Sequence, residues 1–393
     1  YRGAPQVNTD LIAGRVQIYF GTLPTQVPLA KDGKVKIIGI TGSNGKTTTK
    51  NLVASLCSSL GPTVAPRDSF NNEVGAPLTM LKLALDTRYL VLELGASGVG
   101  HIQRLTNLAA PDIGVVLMVG LAHAGEFGGV EATIAAKSEL VTGLIPGSPV
   151  ILNADDPRVA AMADLASGEV LWFGQGSRAQ VRASNINVAL SGTSFELTMP
   201  TGETAQINFA VLGEHHVMNA LAMASVGHLL GVPLAQIKAT LEGVVRAERW
   251  RMEIMGDHGV TVINDAYNAS PDSMAAGLKT LRQISGPQNR TIAVLGEMSE
   301  LGEYSGEEHD RLALLVVRLN IDQLVVVGYG ARGLHFSAMN EGSWEGESQF
   351  FETADDAYDY LVTFCRPDDI VLVKSSNSAG LRFLGDRLAG AFE

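Results

Sequence analysis

One segment constrains this chain more than any other: an apolar stretch over residues 35–40 runs directly into Thr41-Gly-Ser-Asn-Gly-Lys46-Thr-Thr-Thr49. The first part reads as a strand. The second is a glycine-rich turn that hands the chain to a helix extending to about Leu60. Backbone N–H groups at the start of such a helix, together with its dipole, bind phosphate oxygens. Gly42 and Gly45 let the main chain wrap an anion. Lys46 is placed to neutralise β- and γ-phosphates, and the Thr47 hydroxyl suits Mg²⁺; Ser43, Asn44 and Thr48 complete the loop. The strict G-x-x-x-x-G-K-[ST] spacing is not met, because Ile40 stands where the first glycine belongs. A plain strand-to-helix turn is the competing reading. Against it stands the order strand, glycine turn, Lys-Thr, helix.

Beyond this loop the alternation of strand and helix repeats. Apolar strands are expected over 89–94, 113–119 and 149–152, with helices between them, notably over 130–144. Continuous apolar strands alternating with helices give a parallel sheet covered on both faces. Residues 169–212 differ: short alternating stretches over 181–188, 194–199 and 205–209 read as an antiparallel appendix to the same unit. Helices over 217–230 and 234–241 close this half. A second alternation then begins, with strands over 252–254, 260–264, 291–295, 323–327 and 369–373. Its helices are expected over 272–284, 307–319, 354–365 and 379–391. The fold class is therefore α/β: a phosphate-loop central domain over 35–246 with a mostly parallel sheet, then a Rossmann-like α/β domain over 247–393. Residues 1–34 are poorly patterned, with one short strand over 16–20.

At 393 residues and roughly 100–200 residues per domain, two or three domains are expected. The formal charge of −12 excludes a diffuse attraction for nucleic acid or an anionic membrane. An anionic ligand must then be held by local groups. Two cysteines, Cys57 and Cys365, make neither a disulfide framework nor a zinc site and read as buried thiols in a reducing cytoplasm. No apolar run approaches the ~18 residues of a membrane span, and no signal-peptide pattern opens the chain.

In an open parallel sheet, residues just past the carboxyl ends of the strands face the ligand crevice. That places Glu93, after the 89–94 strand, and His123, after the 113–119 strand, near the Lys46 loop. A carboxylate and an imidazole beside phosphates suit a divalent cation. Taken singly, Glu93 reads equally as a strand-end carboxylate and His123 as a loop histidine. Lys137 sits in an Ala-rich helix, where a lone lysine is ordinarily solvated, and His309 reads as a helix-surface histidine.

These residues together resemble a known family. Thr41-Gly-Ser-Asn-Gly-Lys46-Thr-Thr, Asn71-Asn-Glu-Val-Gly-Ala-Pro-Leu78, Glu93-Leu-Gly, Ala122-His123, Ala136-Lys137-Ser-Glu-Leu and Asn153-Ala-Asp-Asp-Pro are similar to the central domain of the Mur ligases. So are Gly213-Glu-His-His-Val-Met-Asn219-Ala-Leu-Ala, Arg251-Met-Glu253, Asn264-Asp-Ala-Tyr-Asn-Ala-Ser-Pro-Asp-Ser-Met274 and Gly296-Glu-Met-Ser-Glu-Leu-Gly302, in the same order. The match runs from about Val35 to the C-terminus.

The resemblance implies an ATP- and Mg²⁺-dependent amide ligase that activates a carboxylate as an acyl phosphate. The Asn264–Met274 and Gly296–Gly302 segments look like those of members that add D-alanyl-D-alanine to a UDP-linked muramoyl tripeptide in cell-wall precursor synthesis. It implies that Thr47 and Glu93 hold one Mg²⁺, that His123 holds a second, and that Lys137 is carried as a carbamate beside it. Asn219 falls at the adenine, Asp265 at the ribose, and Arg251 at a phosphate reached across the domain interface. Asn71 and Asn72 face the acyl substrate, while Asn268 and Lys374 count among the substrate contacts. A cytoplasmic monomer without nucleic-acid or membrane partners is expected. The family's first domain, which binds the UDP end, is not recognisable in 1–34 and is expected to be absent or truncated. His216 stands where the family often has Asn, an expected Glu is shifted to Glu126, and Lys374-Ser-Ser-Asn377 departs from Lys-Gly-Ser-Arg. The rival readings are a folylpolyglutamate- or cyanophycin-synthetase-like ligase, a non-catalytic nucleotide-binding relative, and a motion-coupled ATPase.

Overall fold

The computed structural model describes residues 35–120, 129–244, 248–256, 259–341 and 346–392. The expected strand over 16–20, the 1–34 segment and His123 lie outside these residues.

The chain runs β1 (Lys36–Thr41), α1 (Lys46–Ser58), β2 (Thr63–Val64), α2 (Gly75–Met80), β3 (Tyr89–Glu93), α3 (His101–Ala109), β4 (Ile113–Val116), α4 (Val130–Thr142), β5 (Val150–Asn153), α5 (Pro157–Ala160) and β6 (Val170–Gly174). It continues through β7 (Val181–Ala189), β8 (Gly192–Thr198), β9 (Thr204–Phe209), α6 (Glu214–Leu229) and α7 (Leu234–Glu242). The second half comprises β10 (Glu253–Met255), β11 (Thr261–Asn264), α8 (Pro271–Ile284), β12 (Thr291–Leu295), α9 (Ser305–Arg318), β13 (Gln323–Val327), α10 (Arg332–Asn340), β14 (Ser348–Phe351), α11 (Ala354–Phe364), β15 (Ile370–Lys374) and α12 (Leu381–Ala391).

The first half builds one sheet in the order β2-β3-β1-β4-β5-β6-β7-β8-β9. It is parallel through β7 and antiparallel over β7-β8-β9. The alternating stretches after residue 169 thus extend the main sheet. Neighbours on β1 point to opposite faces, as the two-residue strand repeat requires. Ile38 and Ile40 enter one core with Leu52, Leu56, Phe173 and Leu221. Ile37 enters the other with Leu90, Leu92, Ile102 and Leu140. Each fully buried Leu or Ile contributes about 1.5–3 kcal/mol, so both faces hold the strand in register.

The second sheet has the order β10-β11-β15-β12-β13-β14, with only β10 antiparallel to its neighbour. Its last strand in sequence, β15, inserts between β11 and β12, so the carboxyl ends of these three strands lie side by side.

Several elements depart from expectation for local reasons. The 113–119 strand ends at Val116, because the next residues leave the sheet to meet the phosphate loop: Ser43 N donates to Met118 O at 2.8 Å. The strands β2 and β14 and the helices α2, α5 and α10 were not foreseen, and β6, expected within the antiparallel stretch after residue 169, pairs parallel with both β5 and β7. β14 is four residues long, sits at the sheet edge, and is only partly buried, so it carries little alternation. His309 is not on a helix surface. It is 2% exposed; its Nε2 accepts from Met298 N at 3.3 Å while its Nδ1 lies 2.7 Å from Ser305 O. A carbonyl can only accept, so the Nδ1–H tautomer is present, and the ring ties the segment after β12 to α9. Among the described residues no helix is long and apolar enough to cross a membrane.

Candidate functional site

The loop between β1 and α1 owes its shape to two constraints. Gly45 takes a left-handed conformation, φ 82°, immediately before the helix. A Cβ there would stand 2.3 Å from Asn219 Oδ1. Only glycine meets both the backbone and the space requirement. Among the described residues no side chain caps α1. The first-turn N–H groups of a helix have no partner within it, so this end presents donors and positive potential to an anion. Lys46 Nζ is folded back over the loop, donating to Gly42 O at 2.7 Å and Ser43 O at 3.2 Å. Burial pulls its pKa down, Glu93 opposes that, and Arg251 adds to it.

Glu93 closes β3 beside the loop, paired in register with Ile40 of β1. It is 1% exposed. Its Oε1 accepts from Asn71 Nδ2 at 2.7 Å, whereas Oε2 is buried with no hydrogen-bond partner among the described residues. A buried carboxylate oxygen without a donor is costly, and a cation beside it would remove that cost. Thr47 Oγ1 lies 3.0 Å from Ser69 Oγ and accepts from Arg251 Nη2 at 3.2 Å. Hard oxygen donors of this kind fit Mg²⁺, which keeps several ligands from water or phosphate. Among the described residues no group of three or more His, Cys, Asp or Glu is poised to hold a metal alone.

Lys137 is not solvated. It is 4% exposed, and burial followed by the repulsion of Lys46 drives its pKa well below the usual lysine value. A shift in this direction moves the group toward the amine, and an uncharged amine is the form that takes up CO₂.

The opposite wall comes from the second sheet. Lys374, at the end of β15, directs Nζ to Asp265 Oδ2 at 2.6 Å, Asp265 O at 3.2 Å and Asn268 O at 3.1 Å. Three protons meet three oxygens, all in the loop after β11. Asp265 Oδ1 accepts from Met252 N at 3.0 Å. Arg251 lies 3.1 Å from Glu248 and spreads over the Tyr267 ring, 4.0 Å from its centroid. Tyr267 reaches back to Ser69, with its hydroxyl 3.3 Å from Ser69 Oγ. The N-terminus of α6 closes the site from below. Asn219 Nδ2 donates to His216 Nδ1 at 3.2 Å, and its Oδ1 accepts from Thr49 at 3.3 Å. His216 is held neutral, its pKa pushed well down chiefly by burial. His215 is likewise lowered to about 4 by burial.

A cleft of about 320 Å³ lies between the two walls. It is lined by Ser43, Asn44, Gly45, Lys46, Thr47, Thr48, Asn71, Glu93, Asn219, Arg251, Asp265, Asn268 and Lys374 from the residues singled out in the sequence. Gly42 shapes the loop from beneath, and Lys137 stands close enough to Lys46 for the two charges to interact. Asn72 does not line the cleft: its Oδ1 accepts from Val74 N at 3.1 Å and Gly75 N at 2.9 Å, turning the chain into α2. Ser69, Tyr267, Ser273 and His215 also line the cleft and were not foreseen individually. Ser69 lies in an irregular loop, where periodicity carries no signal. Tyr267 and Ser273 fall inside the Asn264–Met274 motif, which was the one available pointer to them.

Known proteins share this architecture. The chain matches the Mur ligase middle domain over residues 40–227 and the Mur ligase glutamate ligase domain over residues 250–377. A UDP-N-acetylmuramoyl-tripeptide–D-alanyl-D-alanine ligase of Mycobacterium tuberculosis is 44% identical over 375 residues, covering 91% of this chain and 73% of the relative. The enzyme of the same name from Escherichia coli is 29% identical over 95% of this chain and 80% of its own length. Among solved structures, MurF from Acinetobacter baumannii superposes with a TM-score of 0.85 at 30% identity, covering 95% of this chain and 82% of that one.

Proposed function

The chain belongs to the Mur ligase family, and we propose that it joins D-alanyl-D-alanine to a UDP-linked muramoyl tripeptide at the expense of ATP, in peptidoglycan precursor synthesis. The observation that carries this reading is the cleft itself, with a phosphate loop on one wall and the Asp265–Asn268 loop, clamped by Lys374, on the other. A folylpolyglutamate- or cyanophycin-synthetase-like ligase is disfavoured by the Asn264–Met274 and Gly296–Gly302 segments and by the relatives' shared name.

The chemistry is set by the acyl group. A carboxylate is a poor acylating agent, because its leaving group would be oxide. Transfer of the γ-phosphoryl group of ATP gives an acyl phosphate, and the dipeptide amine then displaces phosphate. Such a reaction asks the protein mainly to position reactants and to stabilise charge. The N–H groups of the 42–48 loop and Lys46 grip the β- and γ-phosphates, with Lys46 exchanging its loop carbonyls for phosphate oxygens. Thr47 and Glu93 would hold one Mg²⁺, and His123 a second, with a carbamylated Lys137 beside it. Bound Mg²⁺ would supply charge neutralisation on the transferring phosphoryl group. A carbamate in place of the Lys137 amine turns a would-be cation into an anion, which suits a metal neighbour.

Asn219 takes the adenine side, Asp265 the ribose, and Arg251 a phosphate from across the cleft. Asn71 orients the acyl end while steering one oxygen of Glu93. Asn268 faces the incoming dipeptide. Lys374 acts through Asp265 and Asn268, since its three protons are engaged there. Residues 35–246 and 247–393 then serve as the two units that close on ATP, in a cytoplasmic enzyme. The test is a ligation assay with UDP-muramoyl tripeptide, D-alanyl-D-alanine, ATP and Mg²⁺, following the UDP-linked product by mass. Product with the dipeptide but not with free D-alanine or glutamate is expected. ADP release with glutamate as acceptor, and none with the dipeptide, would move the chain to a different ligase.

A further inference from the structure

Lys50 lies one helical turn beyond Lys46 on α1, on the same helix face. Its side chain is 1% exposed and is among the largest fully enclosed in the molecule. Lysine is among the residues least often buried completely, and the functional reading above gives this one no task. Its ammonium donates to Pro66 O at 2.9 Å and Asp68 O at 3.2 Å. Both acceptors are main-chain carbonyls of one irregular segment, 65–72, which passes through a left-handed Asp68 with φ 41°.

The residues immediately after these carbonyls make contacts at the site. Ser69 Oγ stands 3.0 Å from Thr47 Oγ1 and 3.3 Å from the Tyr267 hydroxyl. Asn71 Nδ2 donates to Glu93 Oε1 at 2.7 Å, and Asn71 O accepts from Gly95 N at 2.8 Å. Without helix or strand hydrogen bonds of its own, the segment takes its position from such tethers.

We propose that Lys50 is a positioning residue for the metal–phosphate site: it pins the 66–68 backbone to α1, so that Ser69 meets Thr47 and Asn71 occupies one oxygen of Glu93, leaving the other for Mg²⁺. One helix then carries both Lys46, which grips phosphate, and Lys50, which sets the loop that tunes Thr47 and Glu93, so nucleotide and metal subsites share one rigid support. A side chain without donors at this position leaves the buried Pro66 carbonyl unmet, removes the part-buried bond to Asp68 O and frees the segment to shift.

The inference rests on the Mg²⁺ reading of Thr47 and Glu93, and the test separates the two. Lys50→Met and Lys50→Arg are made in the full-length protein, with Lys50→Gln, which keeps a donor, used if the Met variant fails to fold. Amide hydrogen exchange without ligand is expected to rise over 66–75 in Lys50→Met while β1 and α1 stay protected. ADP binding by calorimetry is expected to be unchanged without Mg²⁺. The Mg²⁺ concentration that half-saturates its enhancement should rise about 10–100-fold, as for other residues that orient ligands. Lys50→Arg should restore most of both effects. An unchanged Mg²⁺ dependence in Lys50→Met overturns the proposal, whatever the exchange pattern. Parallel loss of Mg²⁺-free ADP binding also overturns it, because Lys50 would then merely hold α1 together. Absence of ligation by the wild-type protein strikes the functional reading alone, since neither readout here uses ligation.

Discussion

The two walls of the cleft are built on opposite plans. On the phosphate-loop wall, polar groups wait for a ligand: among the described residues Asn44 Nδ2 and Glu93 Oε2 are buried without partners, and no side chain caps α1. On the facing wall the polar groups satisfy one another. Lys374 meets Asp265 and Asn268, Asp265 meets Met252 N, and Ser270 caps α8 in a reciprocal pair with Ser273. A wall that must receive a cation and phosphates leaves some polar atoms unpaired and holds Lys46 only on loop carbonyls, whereas a wall that must present a carboxylate at a fixed place has to secure it first. An unpaired buried polar group costs stability, and the two apolar cores beneath the first wall's sheet offset that cost. Changes on the receiving wall should therefore spare the fold and abolish chemistry, while changes on the facing wall should do damage even without ligand.

The largest contrast is expected at Lys46. Lys46→Ala should lower phosphoryl transfer by about 100- to 1,000-fold, the scale for losing one charge-stabilising group, with the thermal midpoint unchanged. ADP release and a melting curve on the same sample check it; a variant that ligates normally would remove the loop from the mechanism.

Lys374→Met is the counterpart on the facing wall. It strands a buried Asp265 carboxylate, and breaking such a pair costs about 3–5 kcal/mol. Denaturant unfolding of the ligand-free protein should show it, and adding Asp265→Asn should return part of the loss. A stability change near zero would mean that this wall is no more self-supporting than the other.

Lys137 sharpens the comparison from within the receiving wall. If it carries a carbamate, Lys137→Ala should cost about 10–100-fold in activity, as for residues that tune a metal site, and added short carboxylates should restore part of it. Lys137→Arg should remain inactive, since guanidinium keeps its charge. Full activity of Lys137→Arg, measured by phosphate release, would leave the metal to Thr47, Glu93 and His123.

The pH-dependent contrast belongs to His215, which lines the cleft at the N-terminal end of α6. Its folded pKa of about 4 lies below the ordinary histidine value. The unfolded chain therefore takes up the proton first as pH falls. Stability from this group is complete above about pH 6.5 and is lost as pH drops toward 4, at no more than about 1.4 kcal/mol per pH unit. Urea midpoints between pH 7 and 4 should fall less steeply in His215→Gln, and parallel curves would remove the histidine from this role.

Much of the molecule is dictated by sequence alone. The strand–glycine–Lys-Thr order and the apolar repeats on either side specify two parallel-sheet units and a phosphate-binding helix start, because dihedral limits and burial act over a few neighbouring residues. Glycine at position 45 is legible for the same reason. Pairing was decided elsewhere. Nothing near Lys137 or His309 in sequence says that either is buried, since burial comes from elements packed against their helices. Nothing near Lys374 says that its three protons belong to a loop more than a hundred residues earlier, because β15 inserts between β11 and β12 only when the sheet forms. The sequence determined which side chains stand at the strand ends; the tertiary structure decided which of them would engage each other and which would be left for a ligand, because a buried hydrogen bond depends on distance in space and not on distance along the chain.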